Sequence, residues 1–133
     1  KTRTEGFGTE VKKRIMLGTY VLSAGYTEKY YLKAQDIRNK LTVKIKEILN
    51  ECDFILTPAA PLSAYTKKFA AQAGVKMYPD DVFSSFVNLS GTTALSIPFG
   101  YDTNLMPIGI QLIGDKFTEN NLIRIAGGIK NEI

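Results

Sequence analysis

Two apolar runs lie close together in the sequence ALSIPFGYDTNLMPIGIQLIG, which covers residues 94–114. The runs are residues 94–99 and 108–113, and the segment between them contains the turn-forming residues Asp102 and Asn104. Short apolar runs on either side of a turn are typical of paired strands. The sequence therefore predicts two neighbouring antiparallel strands, the second of which is apolar enough to be covered on both faces.

The rest of the chain predicts helices and one further strand. In several segments apolar side chains recur at steps of three and four residues, as expected for helices with one buried face. The predicted helices are residues 9–23, 27–51, 78–91 and a segment that follows Thr118, and a buried strand is predicted at residues 54–57. The element order is thus α-α-β-α-β-β-α. Because three strands make a thin sheet, we expect them to belong to a larger α/β sheet.

Two segments predict specific burial, and two features predict a larger protein. Residues 15–25 carry no charge, and a helix that is uncharged all round is expected to be buried all round. Cys52 ends the apolar stripe of the second helix, so we expect an inert, buried thiol. That helix would be roughly 37 Å long, which suits a larger body. Since the chain also begins at Lys1 and not at Met, we expect it to be a piece of a longer protein.

Composition excludes several kinds of site. The 133 residues include no histidine and one cysteine, which removes imidazole-activated nucleophiles, imidazole metal ligands and an internal disulfide from this chain. The net charge is +4, from 17 basic and 13 acidic residues, and the basic residues are spread along the chain. This spread is typical of solvated helix faces and not of a nucleic-acid groove. We find no secretory signal pattern, and we expect a protein that is not secreted and occupies a reducing compartment.

Pattern alone leaves the candidate binding residues open. Arg14 stands where the charged half of the first helix meets the uncharged half, which is typical of a surface arginine but also fits an anion-binding group. Asp80 and Asp81 begin a predicted helix, where carboxylates favour the positive end of the helix dipole. The same two side chains would also fit a pair of functional carboxylates. The serines of this helix have no neighbouring base, so we expect them on its surface or in its cap.

The segment EGFGTEVKKRIMLGTY, residues 5–20, closely resembles a motif of the amidase signature family. Further blocks resemble the family in the same order along the chain. They are residues 56–61, 77–81, 87–91 and 107–114. Because these blocks are spread in the family's order over most of the chain, it is identified as a member of the family. Within the family it is similar to the glutaminase subunits of tRNA-dependent amidotransferases.

The resemblance implies a fold and a place within it. Family members are several times longer and form a mixed β-sheet sandwiched between helices. Residues 1–133 would be the C-terminal part of a single amidase domain. Family catalysis uses a Ser-Ser-Lys triad in a Gly/Ser-rich segment upstream of every block matched here. The resemblance therefore implies that no catalytic residue lies in this chain and that the chain alone is inactive.

The resemblance also implies two substrate-binding residues. Arg14 matches the family arginine that holds the α-carboxylate of the donor glutamine, and Asp81 matches the aspartate that holds its α-ammonium. No cofactor and no metal are expected in this chain.

The implied partners are the other members of a heterotrimer, its B and C subunits. Ammonia released from glutamine would pass to the B subunit, which converts Glu-tRNA(Gln) to Gln-tRNA(Gln) with ATP and Mg, and the small C subunit would bridge the other two. The implied location is the bacterial cytoplasm or an organelle, without a membrane. Two alternatives stay open: a stand-alone amidase-signature hydrolase of small amides, and a non-catalytic module that completes the fold.

Overall fold

The structure, a computed structural model, describes residues 2–68 and 81–130. The helices of this part are α1 (Thr9–Val21), α2 (Lys33–Glu51), α3 (Val82–Ser90) and α4 (Glu119–Lys130), and its strands are β1 (Ile55–Pro58), β2 (Thr93–Tyr101) and β3 (Pro107–Gly114). They follow the predicted order. Residues 69–80, which include the predicted start of the third helix, lie outside the described residues. The chain divides into two compact units, one up to Lys40 and one from Leu41 onward.

The first unit contains α1 and the turn that follows it. Gly25 in this turn has a φ of +83°, a left-handed conformation that glycine adopts without steric cost. A π-helical segment, Thr27–Leu32, then leads into α2, so the predicted second helix begins with wider turns than an α-helix. The hydroxyl of Thr27 bonds to the carbonyl oxygens of Leu22 at 3.1 Å and Ser23 at 3.3 Å. These bonds join the end of α1 to the start of the next helix.

The second unit is built on a three-stranded antiparallel sheet in the order β1-β3-β2. This confirms the predicted antiparallel pair. In the central strand, Gln111, Leu112 and Ile113 are all buried, which confirms that this half of β3 is covered on both faces. Strand β1 lies at the edge and alternates between half-buried and exposed residues, so the prediction of a buried strand is wrong there. An edge strand has a partner on one side only, which leaves part of it in solvent.

The main core lies between the sheet and α4. Leu112 of β3 is fully buried against Leu122 and Ala126 of α4, and Leu95 and Ile97 of β2 pack against the same cluster. Directly opposite residues on neighbouring strands share a face. The register Thr57–Gln111–Ser96 therefore defines the other face of the sheet. Gln111 on this face bonds to the carbonyl oxygen of Phe83 in α3.

Helix α3 ends as the sequence predicts. Gly91 has a φ of +68° and forms a left-handed cap, and its N–H bonds to the carbonyl oxygen of Val87 at 3.0 Å. Within the described ranges, no helix is long and apolar enough to cross a membrane.

Two predictions of burial are wrong in this structure. None of the residues of α1 is buried within the described chain, and Met16 is 71% and Leu17 61% exposed. An uncharged helix is expected to be covered by other parts of a protein. Its own sequence does not indicate whether the covering residues belong to this chain. Cys52 is also exposed, with its thiol bonded to the carbonyl oxygen of Ile48 at 3.3 Å. Among the described residues of α2, the apolar stripe that Cys52 continues is buried only at Ile45.

Candidate functional site

Arg14 lies on α1 and is ion-paired along the helix. Its Nε donates to Oε1 of Glu10 at 3.1 Å, and the two side chains are 65% and 52% exposed. An exposed i,i+4 pair contributes only about 0.3–0.5 kcal/mol. The bond to Glu10 orients the guanidinium of Arg14. Because this bond is weak, replacing Glu10 by another anion would cost little free energy. In this structure Arg14 is thus a surface arginine. Its binding of a substrate carboxylate stays a prediction.

A cavity of about 620 Å³ lies beside α1. It is lined by Phe7, Lys12, Ile15 and Met16. The ammonium of Lys12 is already engaged, since it donates to the carbonyl oxygen of Thr4 at 2.6 Å. The walls of this cavity are therefore mainly apolar, and they form part of the exposed apolar surface of α1.

Three tyrosines cluster at the end of α1 and the following segment. The ring centroids of Tyr20 and Tyr26 are 4.4 Å apart, and those of Tyr26 and Tyr30 are 6.0 Å apart. The pKa of Tyr20 is raised above its ordinary value, first by its hydrogen bond with Tyr26, then by desolvation and by the charge of Tyr30. Tyr20 therefore keeps its neutral phenol form to a higher pH than an ordinary tyrosine does. The sequence signal for two of the three tyrosines is the i,i+4 spacing of Tyr26 and Tyr30, which places them on one helix face.

Asp81 directly precedes α3 and is exposed. Its carboxylate makes no capping hydrogen bond to the helix, and its backbone carbonyl oxygen accepts a bond from the hydroxyl of Ser84 at 3.3 Å. The carboxylate thus lies at the positive end of the helix dipole without being used as a cap. Such a group suits an external cation, and its role toward an ammonium stays a prediction. Asp80 lies outside the described residues. The alternative that Asp80 and Asp81 form a functional pair of carboxylates therefore stays a prediction.

Gln111 ties the sheet to the first turn of α3. It lies in the central strand and is only 6% exposed. Its Nε2 donates to the carbonyl oxygen of Phe83 at 2.8 Å and to Oγ1 of Thr57 at 3.4 Å. The sequence pattern placed this residue in a strand and gave it no further role. The signal that could have found it is its character as the one uncharged polar side chain in the run IGIQLI.

Asp102 is a further acidic group with several partners, all of them within the protein. Its carboxylate accepts bonds from the hydroxyl of Ser63 and from the amides of Asn104 and Met106. Across residues 2–68 and 81–130, no group of three His, Cys, Asp or Glu side chains is placed to hold a metal ion.

Comparison with known proteins identifies the family. Residues 1–123 match the Amidase family. The chain belongs to the amidase family. This result confirms the resemblance that the ordered sequence blocks carry.

Individual relatives match most or all of the chain. A protein named as the A subunit of glutamyl-tRNA(Gln) amidotransferase, from Pelagibacter ubique, is 46% identical over 133 residues, which are 100% of this chain and 27% of that protein. The crystal structure of the A subunit of glutamyl-tRNA(Gln) amidotransferase from Thermotoga maritima matches 94% of this chain with 42% identity and a TM-score of 0.71; the match covers 27% of that chain. An allophanate hydrolase structure from Kluyveromyces lactis matches 88% of this chain and 18% of its own, with 28% identity and a TM-score of 0.67.

These matches confirm the fold class. The three-stranded antiparallel sheet and its helices correspond to a portion of the amidase fold seen in the Thermotoga maritima protein. The chain spans 27% of the length of both the Pelagibacter ubique and the Thermotoga maritima relatives. The comparisons therefore concern only this part of the longer relatives.

Proposed function

We propose that this chain is the C-terminal part of the glutaminase subunit of a glutamyl-tRNA(Gln) amidotransferase and that it binds the donor glutamine. The observation that carries the proposal is the match of the entire chain, at 46% identity, to a protein named as the A subunit of that enzyme. The exposed positions of Arg14 and Asp81 are compatible with it, because each charged group is accessible from solvent.

Donor recognition follows from the two charges of free glutamine. The planar guanidinium of Arg14 can grip the α-carboxylate through two parallel hydrogen bonds, and the carboxylate of Asp81 can pair with the α-ammonium. A simple amide without these charges would leave both protein ions unpaired in a desolvated site. The pair therefore selects glutamine over apolar amides.

The chemistry of ammonia release belongs to residues outside this chain. A serine attacks the side-chain amide of glutamine, ammonia leaves, and water hydrolyses the resulting ester to give glutamate. In this scheme Arg14 and Asp81 hold the substrate backbone while the bond breaks elsewhere. The ammonia, together with ATP and Mg in the B subunit, serves the conversion of Glu-tRNA(Gln) to Gln-tRNA(Gln), and the C subunit would complete the heterotrimer. We propose a bacterial cytoplasmic or organellar location for this complex.

The second candidate function is a stand-alone hydrolase of small amides. The similarity to the Kluyveromyces lactis allophanate hydrolase favours it, because that relative shares the fold at 28% identity and is named for another substrate. Donor analogues separate the two. Glutaramate lacks the α-ammonium, and 4-aminobutyramide lacks the α-carboxylate. A glutaminase should use each analogue at least about 30-fold less well than glutamine in kcat/KM, which is about 2 kcal/mol. A hydrolase of small amides should accept both analogues about as well as glutamine.

The third possibility is a module that only completes the fold. Under it, the full-length protein would lack the Gly/Ser-rich segment with its serine pair, and it would release no ammonia from any amide. Ammonia release by the full-length protein, lost on substitution of the upstream serine, would exclude this possibility.

A further inference from the structure

We propose that Gln111 is a positioning residue that holds the first turn of α3, and with it Asp81, in the place where Asp81 binds the ammonium of the donor. The inference rests on the proposed role of Asp81. It concerns a residue that makes no contact with the substrate itself and acts through the backbone of α3.

Both donors of the Gln111 amide are used. A primary amide carries two N–H groups, and those of Gln111 point to the carbonyl oxygen of Phe83 at 2.8 Å and to Oγ1 of Thr57 at 3.4 Å. The bond to Phe83 is the shorter, so it is the stronger of the two. Phe83 is two residues beyond Asp81 and lies within the same helical turn. The sheet and the start of α3 are thereby joined at one carbonyl oxygen.

The bond to Phe83 does not compete with the helix. A carbonyl oxygen has two lone pairs, so it can accept both a bond within α3 and the bond from Gln111. Gln111 is 6% exposed, and a buried polar group without its partner is costly. Removing the amide therefore releases the turn and does not simply exchange one partner for water.

Among the described residues, the other hydrogen bonds at the start of α3 are weak. Asp81 makes no capping bond with its side chain, and the bond from the hydroxyl of Ser84 to its carbonyl oxygen is long, at 3.3 Å. The helix has only nine residues. With so few restraints among the described residues, the position of Asp81 depends on the anchor at Phe83.

The test uses the full-length protein with its partner subunits. Gln111→Met removes both donors at similar volume. Ser96→Ala is the matched control, because Ser96 faces Gln111 across the strand pair and is exposed. A second control is Thr57→Val, which removes only the longer bond and leaves the one to Phe83. Steady-state kinetics with glutamine and with ammonium, and hydrogen exchange of the α3 amides, are measured for each.

We expect Gln111→Met to raise the KM for glutamine by about 10- to 100-fold, since a displacement of about 1 Å can cost on the order of 100-fold. The kcat for glutamine and the ammonium-dependent rate should stay within about threefold of wild type. The α3 amides should exchange faster in Gln111→Met and not in either control. Because Gln111 acts through Asp81, the double variant Gln111→Met with Asp81→Asn should have the same KM for glutamine as Asp81→Asn alone.

Several results would overturn the proposal. An equal fall in the glutamine and ammonium routes would mean that Gln111 only supports the fold. Additive losses in the double variant would mean that it acts independently of Asp81, and an unchanged KM in Gln111→Met would mean that the anchor is not needed. If Asp81→Asn alone leaves the KM unchanged, the proposed function of Asp81 fails and the positioning role fails with it. If Gln111→Met does not fold, Gln111→Asn, which is one methylene shorter, replaces it in the same comparison.

Discussion

The hydroxyl of Ser63 donates a 2.6 Å hydrogen bond to Oδ2 of Asp102, although 39 residues separate the two in sequence. The other carboxylate oxygen accepts the amides of Asn104 at 2.7 Å and Met106 at 2.9 Å. One carboxylate thus fastens the loop after β1 to the turn between β2 and β3. In that turn Leu105 has a φ of +60°, a conformation that needs such support in a non-glycine residue.

The first prediction concerns the pH dependence of this junction. The bond from Ser63, followed by the amide of Met106, lowers the pKa of Asp102 below its ordinary value of 3.8. A carboxyl group whose pKa is lower in the folded state stabilises the fold fully at pH values above its unfolded pKa, and the contribution is lost as the pH falls through the folded pKa. The difference in free energy of unfolding between wild type and Asp102→Asn should therefore be constant from about pH 7 to 5 and shrink below about pH 4.

Urea unfolding of the full-length protein at a series of pH values measures this difference. Ser63→Ala should lose less of this pH-dependent stability than Asp102→Asn does. It removes only one cause of the lowered pKa of Asp102, although that cause is the largest. A difference between wild type and Asp102→Asn that is the same at pH 3 and pH 7 would contradict the assignment.

Local patterns predicted most of the fold, and long-range packing was not visible in them. The helix and strand positions follow from periodicity and from the turn-forming residues between them. The burial of α1 and Cys52 was predicted wrongly, because an apolar surface indicates that a cover is needed but not where it comes from. The bond between Gln111 and Phe83 was missed because it joins residues 28 positions apart. Arg14 and Asp81 came from family resemblance, since pattern alone allowed a surface arginine and a helix-start carboxylate.

The second prediction concerns the close contact of β3 with α4. A Cβ atom at Gly114 would lie 2.5 Å from Oγ1 of Thr118 and 3.3 Å from Cδ2 of Leu122. Gly114→Ala should therefore destabilise the protein by about 1–3 kcal/mol through overpacking. Gly127→Ala is the matched control on α4, because nothing lies within 4 Å of its added Cβ, and it should stabilise by about 0.4–1 kcal/mol. Thermal unfolding measures both, and two shifts of the same sign would refute the steric explanation.

The third prediction concerns the exposed apolar surface of α1. Purified residues 1–133 should self-associate or bind an environment-sensitive dye, since large exposed apolar patches drive association. Met16→Glu, which places a charge at a side chain that is 71% exposed, should reduce both. Ile123→Glu on α4 is the control, because it changes an exposed apolar residue of another helix and should have little effect. Light scattering that reports a monomer without dye binding would contradict this expectation.

The fourth prediction concerns activity. The proposed nucleophile and its lysine base lie outside residues 1–133, so this segment alone should release no ammonia from glutamine above background. The full-length protein serves as the positive control in the same coupled assay. Saturable glutaminase activity of residues 1–133 would show that the catalytic groups had been assigned to the wrong part of the protein.

The fifth prediction concerns the central claim, that Arg14 and Asp81 bind the donor glutamine. Truncation of one partner of a charge pair that is buried in the ligand-bound state costs about 2–5 kcal/mol, or roughly 30-fold to a few thousand-fold. Arg14→Ala and Asp81→Ala in the full-length protein should each lower kcat/KM for glutamine by that amount. Lys13→Ala, next to Arg14 on the same helix, is the control and should leave it unchanged.

The decisive measurement compares glutamine-dependent with ammonium-dependent formation of Gln-tRNA(Gln) by the assembled complex, for wild type and each variant. Free ammonia bypasses donor binding, so the glutamine route should fall at least about 30-fold while the ammonium route stays near wild type. An equal fall in both routes would mean that the substitutions damage the fold, and an unchanged glutamine route would mean that Arg14 and Asp81 are surface residues without a role in donor binding.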